Sequence, residues 1–565
     1  MAFAQQSESA MALTWVISGR APIALALVAC LWAAATASPD PHVLFDDASA
    51  ASGLDFTLNN SPTARKYLPE TMAGGVAAFD FNNDGRLDLF FPNGAEMPSL
   101  RKTGAKFSNR LYRNDGDGHF TDVTNAAGLG GSGYSIGAAA ADFDNDGDID
   151  LFVAGVHENR LYRNVGGRFE DVTTAAGIRD DQFAVGAAWL DFDRDGRLDL
   201  FILNYVQWSP EHDPGCHDPS GRYPVYCHPK FFTGTASRLY RNLGGGKFDD
   251  VSQSSGIAAA IGKGMGVAVA DYDADGYPDL FVTNDTEPNF LFHNLRDGKF
   301  AEVALDSGVA LPDNGATVSG MGTDFRDYDN DGRPDIAFTA LAGQTFLLFH
   351  NLGGGQFEDA THRSNLSRLT AKLSGWGIAI SDLNNDGWKD LFTANSHVSD
   401  NIQLFSGDQY KQKNSIFLNR GGGNLIEAAA NAVPGAARAN RGAVVADFDG
   451  DGRLDAVVTA LGERPDLLRN VAPGGHWIEF KLTGTRSNRD ALGAVIHVQD
   501  SANRQQWNAM TSSTGYASSC LCPVHFGLGE QTEVTQAEIL WPDGTRQRLR
   551  NLKAGKRLSV AEGSK

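Results

Sequence analysis

The chain is 565 residues long, more than one ordinary hydrophobic core supports, so two domains or a repeat array are expected. Its 64 glycines, 10% aromatic content and scarce helical periodicity favour an all-β architecture. A formal net charge of −21 argues against nucleic acid or an anionic membrane surface as a partner.

The first 37 residues read as an export signal. Arg20 precedes an apolar core, Ala21 to Ala35, and Ala35-Thr36-Ala37 fits a small-residue cleavage site before Ser38. Translation from Met11 would give a more usual signal length. A rival reading takes Leu27-Val28-Ala29-Cys30 as a lipoprotein box with Cys30 as the acylated residue. The Leu31-Trp32 that follows is a poor polar tether, so soluble export is preferred to a lipid anchor. The apolar run is short for a transmembrane helix with its flanks, and the sequence offers no other span. Export to the periplasm, cell surface or medium would supply the millimolar calcium that weak acidic loops need.

From residue 45 onward the chain is organised by repeats. A nine-residue motif, D-x-[DN]-x-D-G-x-x-D, occurs seven times. Oxygen-bearing side chains stand at positions 1, 3, 5 and 9, the glycine at position 6 allows a sharp turn, and position 7 offers its backbone carbonyl. The expected ligands of a hard divalent cation are Asp80, Asn82, Asp84, Arg86 and Asp88 in the first loop. The second has Asp142, Asp144, Asp146, Asp148 and Asp150, and the third Asp191, Asp193, Asp195, Arg197 and Asp199. The fourth has Asp271, Asp273, Asp275, Tyr277 and Asp279, and the fifth Asp327, Asp329, Asp331, Arg333 and Asp335. Asp382, Asn384, Asp386, Trp388 and Asp390 form the sixth, and Asp447, Asp449, Asp451, Arg453 and Asp455 the seventh. The spacing resembles the start of an EF-hand loop, but no Glu stands at position 12 and the flanks are β-type. One copy alone is equally well a polar β-turn. Seven copies commit 26 of the 69 acidic residues to the four side-chain positions, a self-repelling arrangement without counter-charge. Up to seven structural Ca2+ are expected, bringing the formal charge from −21 to about −7. Loops one and six, with Asn at position 3, are expected to be the weaker sites.

Three further elements recur with the loop. A glycine stands five residues before each: Gly75, Gly137, Gly186, Gly266, Gly322, Gly377 and Gly442. A β-rich run follows, such as Asp199-Leu-Phe-Ile202. A third strand reads Asn-Arg-Leu-Tyr-Arg-Asn at Asn109–Asn114 and Asn159–Asn164, with degenerate versions such as Asn289–Asn294 and Thr345–Asn351. A fourth is typified by Phe120-Thr-Asp-Val. Four strands per unit define a propeller blade. No fourth strand follows Asn470, whereas Phe45-Asp46-Asp47-Ala48 matches one. The expected fold is therefore an all-β, seven-bladed β-propeller over residues 38–472, closed by the N-terminal strand, with a small β-rich domain over 473–565.

These residues resemble the FG-GAP/VCBS repeats of integrin α-subunits and of bacterial secreted propellers. In that family the calcium loops hang from one face, brace the blades and stand apart from the ligand surface. Asn488-Arg489-Asp-Ala-Leu-Gly493-Ala, His525-Phe-Gly-Leu-Gly529 and Trp541-Pro-Asp-Gly544 resemble the ASPIC/UnbV domain, which follows such propellers in the cartilage acidic protein family and its bacterial relatives.

The longest spacing between loops, Asp191 to Asp271, contains Trp208–Phe232, rich in proline and aromatics. In an exported chain Cys216 and Cys227 most simply pair as a disulfide that staples this insertion. A metal site from His212, His217, His228 and the thiols fits no standard zinc spacing. The insertion is a candidate for ligand contact, because propeller rims display binding loops. Cys520 and Cys522, two apart in a strand, are poorly placed to pair and read as buried thiols or a strained bridge, with a metal or an intermolecular bond as the sharper alternatives.

The sequence contains no H-E-x-x-H, Walker loop, nucleophile elbow or haem attachment site, and Gly128-Leu-Gly130-Gly-Ser-Gly133 lies in a turn, where it binds no dinucleotide. His119, His157 and His397 read as polar loop or strand residues, and Arg489 as a salt-bridge partner before an anion site. No catalytic residue is assigned. The leading reading is an exported calcium-bearing module that binds an extracytoplasmic protein or a glycan. The alternatives are an enzyme, a lyase or hydrolase or an accessory of a biosynthetic pathway with its site at the central channel, and a lectin using the aromatic insertion.

Overall fold

Alternating small and bulky apolar residues build one unit after another. A computed structural model describes residues 43–564; the export signal and Cys30 lie outside them. In the second unit the strands Ser135–Ala141 and Asp150–Gly155 are buried along their length, Arg160–Val165 alternates, and Arg168–Asp171 is largely exposed. The all-small Gly137–Ala141 stretch occupies the innermost place, and residues with one apolar and one charged face occupy the outer ones. Among the described residues there are seven such four-stranded antiparallel units. The last is made of Asn440–Ala446, Asp455–Ala460, Asp466–Asn470 and the N-terminal strand Phe45–Asp47, with Phe45 opposite Asn470.

Apolar seams join neighbouring units. Phe79, Phe90 and Leu111 of the first pack with Leu151 and Phe169 of the second, and Phe45 closes the seam between the sixth and seventh. A polar seam runs beside them. The Asn that ends each third strand donates its side-chain N–H to a loop carbonyl of the preceding unit: Asn164 to Phe81, Asn242 to Phe143, Asn294 to Phe192, Asn351 to Tyr272, Asn419 to Tyr328 and Asn470 to Leu383, at 2.7–2.9 Å. Asn114 of the first unit reaches Phe448 of the seventh at 2.9 Å, so the chain of bonds returns to its start.

The C-terminal strands form two sheets. Val524–Gly529, His476–Thr483 and Lys556–Ala561 make one; Gln505–Ala509, Val495–Asp500, Glu533–Leu540 and Arg546–Lys553 make the other. Ile478, Phe480, Val498, Phe526, Ile539 and Trp541 share their core. Between these sheets the chain makes an excursion. Ser513–Thr514 and Ser518–Cys520 extend the sheet of the first unit, with Ser519 and Cys520 running parallel to Ala77 and Ala78. The blades and the C-terminal strands thus form one compact unit. No helix among the described residues is long and apolar enough to cross a membrane.

Candidate metal centres

All seven acidic turns fold on the same hydrogen-bond frame. The position-1 carboxylate accepts the backbone N–H groups of positions 5 and 6, as Asp142 does from Asp146 at 3.1 Å and Gly147 at 2.8 Å. The position-6 glycines take left-handed φ values, 99° at Gly147, which a side chain would strain. The position-9 carboxylate is buried and divides its two oxygens. In the second loop Asp150 Oδ2 accepts from Phe143 N at 3.1 Å, and Oδ1 accepts from Asn164 N at 2.8 Å. The same pair of bonds recurs at Asp88, Asp199, Asp279, Asp335, Asp390 and Asp455. Position 9 therefore ties the turn to the third strand as well as facing the acidic cluster.

Electrostatics at these turns are unfavourable without a cation. Burial pushes the Asp150 carboxyl up to about 9, with Asp144 and Asp142 adding to it, and the Asp88 carboxyl up to about 7. Asp193 Oδ1 and Asp329 Oδ1, on position-3 carboxylates, are buried without a hydrogen-bond partner. Groups such as Asp142, Asp144 and Asp146, or Asp271, Asp273 and Asp275, bring their oxygens within 4.8 Å of one another and could hold a metal ion. These two groups offer oxygen alone, which fits a hard dication, whereas two others add a histidine, Asp273-Asp279-His293 and Asp329-Asp335-His350.

The third strand contributes a side chain that the sequence reading missed. The residue before the linking Asn lies against position 3: Arg163 Nε sits 2.7 Å from Asp144, Arg241 Nη2 2.6 Å from Asp193, and Arg469 Nε 2.5 Å from Asp449. Loops one and six, with Asn82 and Asn384, have no such arginine: Arg113 turns to Asp115 at 2.7 Å, and the sixth strand carries Leu418. An Asn at position 3 and an arginine laid on an Asp there have the same effect on net charge. In loops four and five the place is taken by His293 and His350.

Six family-model matches to the FG-GAP-like repeat, at residues 100–153, 142–202, 231–282, 271–338, 327–393 and 401–458, cover more than half the chain. The chain belongs to the FG-GAP-like repeat family. Residues 484–565 match the ASPIC and UnbV model. Cartilage acidic protein 1 of Homo sapiens is 26% identical over 321 residues, 55% of this chain and 46% of its own length. That of Mus musculus is 25% identical over 303 residues, covering 52% and 44%. The chain thus spans about half the length of the curated relatives it matches. Among solved structures, an Agrocybe aegerita lectin recognising non-reducing terminal N-acetylglucosamine aligns at 18% identity and a TM-score of 0.36, over 62% of this chain and 82% of its own.

In this FG-GAP-like repeat protein the axis between the innermost strands is filled. Gly515 exchanges backbone hydrogen bonds with Thr323 of the fifth unit; Ala138 N of the second donates to Ala517 O at 3.2 Å; Ser519 N donates to Val76 O of the first at 2.9 Å. Tyr516 is fully buried, its hydroxyl donating to Met72 O at 2.7 Å and its ring 4.8 Å from Trp376. Beyond it Arg441, also fully buried, lies 4.0 Å over Trp376 and donates to Thr71 O at 2.7 Å. Several of the repeated glycines make room for this segment as well as for the neighbouring innermost strand. A Cβ on Gly137 would stand 2.9 Å from Ala517 O, and one on Gly322 2.6 Å from Tyr516 N.

The acidic turns are not free-standing either. Lys481 lies 3.2 Å from Asp80, Arg489 and Arg557 lie 3.7 Å from Asp142 and Asp447, and Asp490 accepts Asp142 N at 2.7 Å. Arg489 is a salt-bridge residue, as its sequence context implied.

At the other strand ends the insertion forms a cap packed on neighbouring units. Cys216 and Cys227 are disulfide-bonded with Cα atoms 5.1 Å apart, on the hairpin that pairs Cys216–His217 with Pro224–Val225. Trp208 is buried against Tyr67, Arg65 donates to Asp213 O, Asn401 donates to Pro224 O, and Lys66 pairs with Asp400 at 2.6 Å. His157 bridges Asp181 O and Trp208 O, a structural role, and half-buried His397 accepts from Ser399 N. The thiols of the zinc alternative are thereby used up. Cys520 and Cys522 are also paired, the bridge being one of the two plain readings the sequence allowed: the chain leaves the strand at Leu521, and the Cα atoms stand 5.2 Å apart, within disulfide reach.

Proposed function

We propose that the chain is an exported, calcium-braced β-propeller over residues 38–472, followed by an ASPIC/UnbV domain over 473–565, and that it acts by binding an extracytoplasmic protein or a glycan. Calcium is structural in this reading. Asp at positions 1, 3, 5 and 9, Asn82 and Asn384 at position 3, and the position-7 carbonyls would hold the ions, which supply counter-charge and no reaction chemistry. The observation that carries it is the sevenfold recurrence of one frame around buried, mutually repelling carboxylates, some with unpartnered oxygens. The filled axis favours recognition at an outer surface over catalysis at the channel. The cap of residues 208–232, rigidified by its disulfide and presenting Phe231 at 56% exposure, is the surface assigned to the ligand.

Crosslinking and pull-down from the native envelope, with and without calcium, tests the reading. Capture should require calcium and be lost when residues 209–231 are replaced by a short linker. Capture that is indifferent to both changes would reject it, and binding of that variant alone lost on a glycan array would assign the ligand as sugar.

A further inference from the structure

We propose that loops four and five are mixed nitrogen–oxygen sites that take a first-row transition dication, with Zn2+ as the probe, in preference to Ca2+. The proposal rests on the acidic turns being metal loops and adds which metal two of them select. His293 Nδ1 lies 3.3 Å from Asp279 Oδ1 and 3.8 Å from Asp273 Oδ2. His350 Nδ1 lies 3.1 Å from Asp335 Oδ1 and 3.3 Å from Asp329 Oδ2. Both triads bring one ligand atom per residue within 4.8 Å of the others. Ligands at about 2.0–2.1 Å around a tetrahedral ion stand about 3.3–3.5 Å apart, close to the separations found here.

Three independent features single out these two loops. The same atom of the same residue type, on the same strand position, meets the same two carboxylates in both. In units two, three and seven that position holds an arginine, a permanent cation that cannot be a ligand. Loops four and five also carry a tyrosine at position 2, where the others carry Phe or Leu. Tyr272 stands edge-on to His293 at 5.8 Å and Tyr328 to His350 at 6.3 Å, which turns each ring's Nδ1 toward its carboxylates. Moreover, His293 Nδ1 and Asp329 Oδ1 are buried without a hydrogen-bond partner, while His350 Nδ1 is within hydrogen-bond distance of Asp335 Oδ1, at 3.1 Å. Ca2+ gains little from an imidazole, whereas Zn2+, Co2+ or Ni2+ binds one strongly.

The test uses the full, untagged chain, stripped of metal, equilibrated with millimolar Ca2+ and a few equivalents of Zn2+, then desalted for elemental analysis. The wild type should retain about two Zn2+ per chain, His293→Gln and His350→Gln about one each, and the double variant none above background. Co2+ in place of Zn2+ should give visible d–d absorption that the double variant lacks. Wild-type protein that retains no zinc in the presence of calcium, or a double variant that retains as much as wild type, overturns the proposal. If glutamine disturbs the fold, His293→Arg with His350→Arg reproduces the arrangement of unit two and gives the same readout. The calcium reading fails separately: Ca2+ would then not raise the melting temperature of the double variant, whatever the zinc count.

Discussion

Asn164 shows how much one side chain does in this molecule. Its backbone N–H holds Asp150, and its side-chain amide donates to Phe81 O in the preceding unit and Ile149 O in its own loop. Asn164→Ala leaves one buried and one half-buried carbonyl without this donor, at about 1–3 kcal/mol for the buried one and less for the other. Urea unfolding should therefore show a loss of about 2 kcal/mol, while Asn508→Ala, a half-buried C-terminal position, costs less. Equal losses would mean that the Asn chain does not carry the seam. Glu562 gives the second residue-scale prediction. Burial alone would raise its carboxyl, but the N–H groups of Arg486, Ser487 and Thr485, at 2.7–3.0 Å, bring it down to about 2. A folded value below the unfolded one means the stabilisation is complete above about pH 4.5 and is lost as pH falls through about 2. Glu562→Gln should cost about 1–3 kcal/mol at neutral pH, and the gap in melting temperature between variant and wild type should close across that window. A gap that stays constant down to about pH 2 would show that the charge is not what matters.

Legibility differs sharply between elements. Loop, strand and glycine were readable because each recurs seven times, and repetition averages out the degeneracy of any single copy. Phe45–Asp47 was readable as a displaced fourth strand for the same reason, and Cys216–Cys227 from the export context. The segment around Tyr516 was not readable: Ser512-Ser-Thr-Gly-Tyr-Ala-Ser-Ser519 has no period, and its partners at Val76, Ala138 and Thr323 lie hundreds of residues away. His293 and His350 passed as degeneracy of the third strand, because only the fold shows that this position faces the loop. The small residues of the innermost strands carried the hint, since this segment takes up part of the space they leave. Gly75→Ala tests that link: its Cβ would stand 2.0 Å from Ala517 O, a backbone atom that cannot swing aside. The expected cost is about 1–3 kcal/mol, by calorimetry, together with faster proteolysis within residues 511–523. An unchanged cleavage pattern with lowered stability would place the strain elsewhere.

At the scale of the whole molecule, ring and C-terminal strands stabilise each other through the same face. The acidic turns lie under Lys481, Arg489 and Arg557, and the segment between the C-terminal sheets is built into the axis. Metal binding and C-terminal docking should then be one cooperative property. For a single site occupied at ten times its dissociation constant, mass action adds about 1.4 kcal/mol, so seven such sites would add about 10 kcal/mol, comparable to the whole stability of an ordinary domain. Chelation with excess EGTA should accordingly lower the melting temperature by about 10 °C. It should do so in one transition for blades and C-terminal strands together, because each metal turn is tied to the next unit by its Asn. Raised NaCl should not substitute for calcium, since screening weakens exposed repulsion but leaves buried carboxylates uncompensated. Two transitions in the calcium-loaded protein would separate the C-terminal strands from the ring energetically. A melting curve unmoved by EGTA would remove metal from the account of stability altogether.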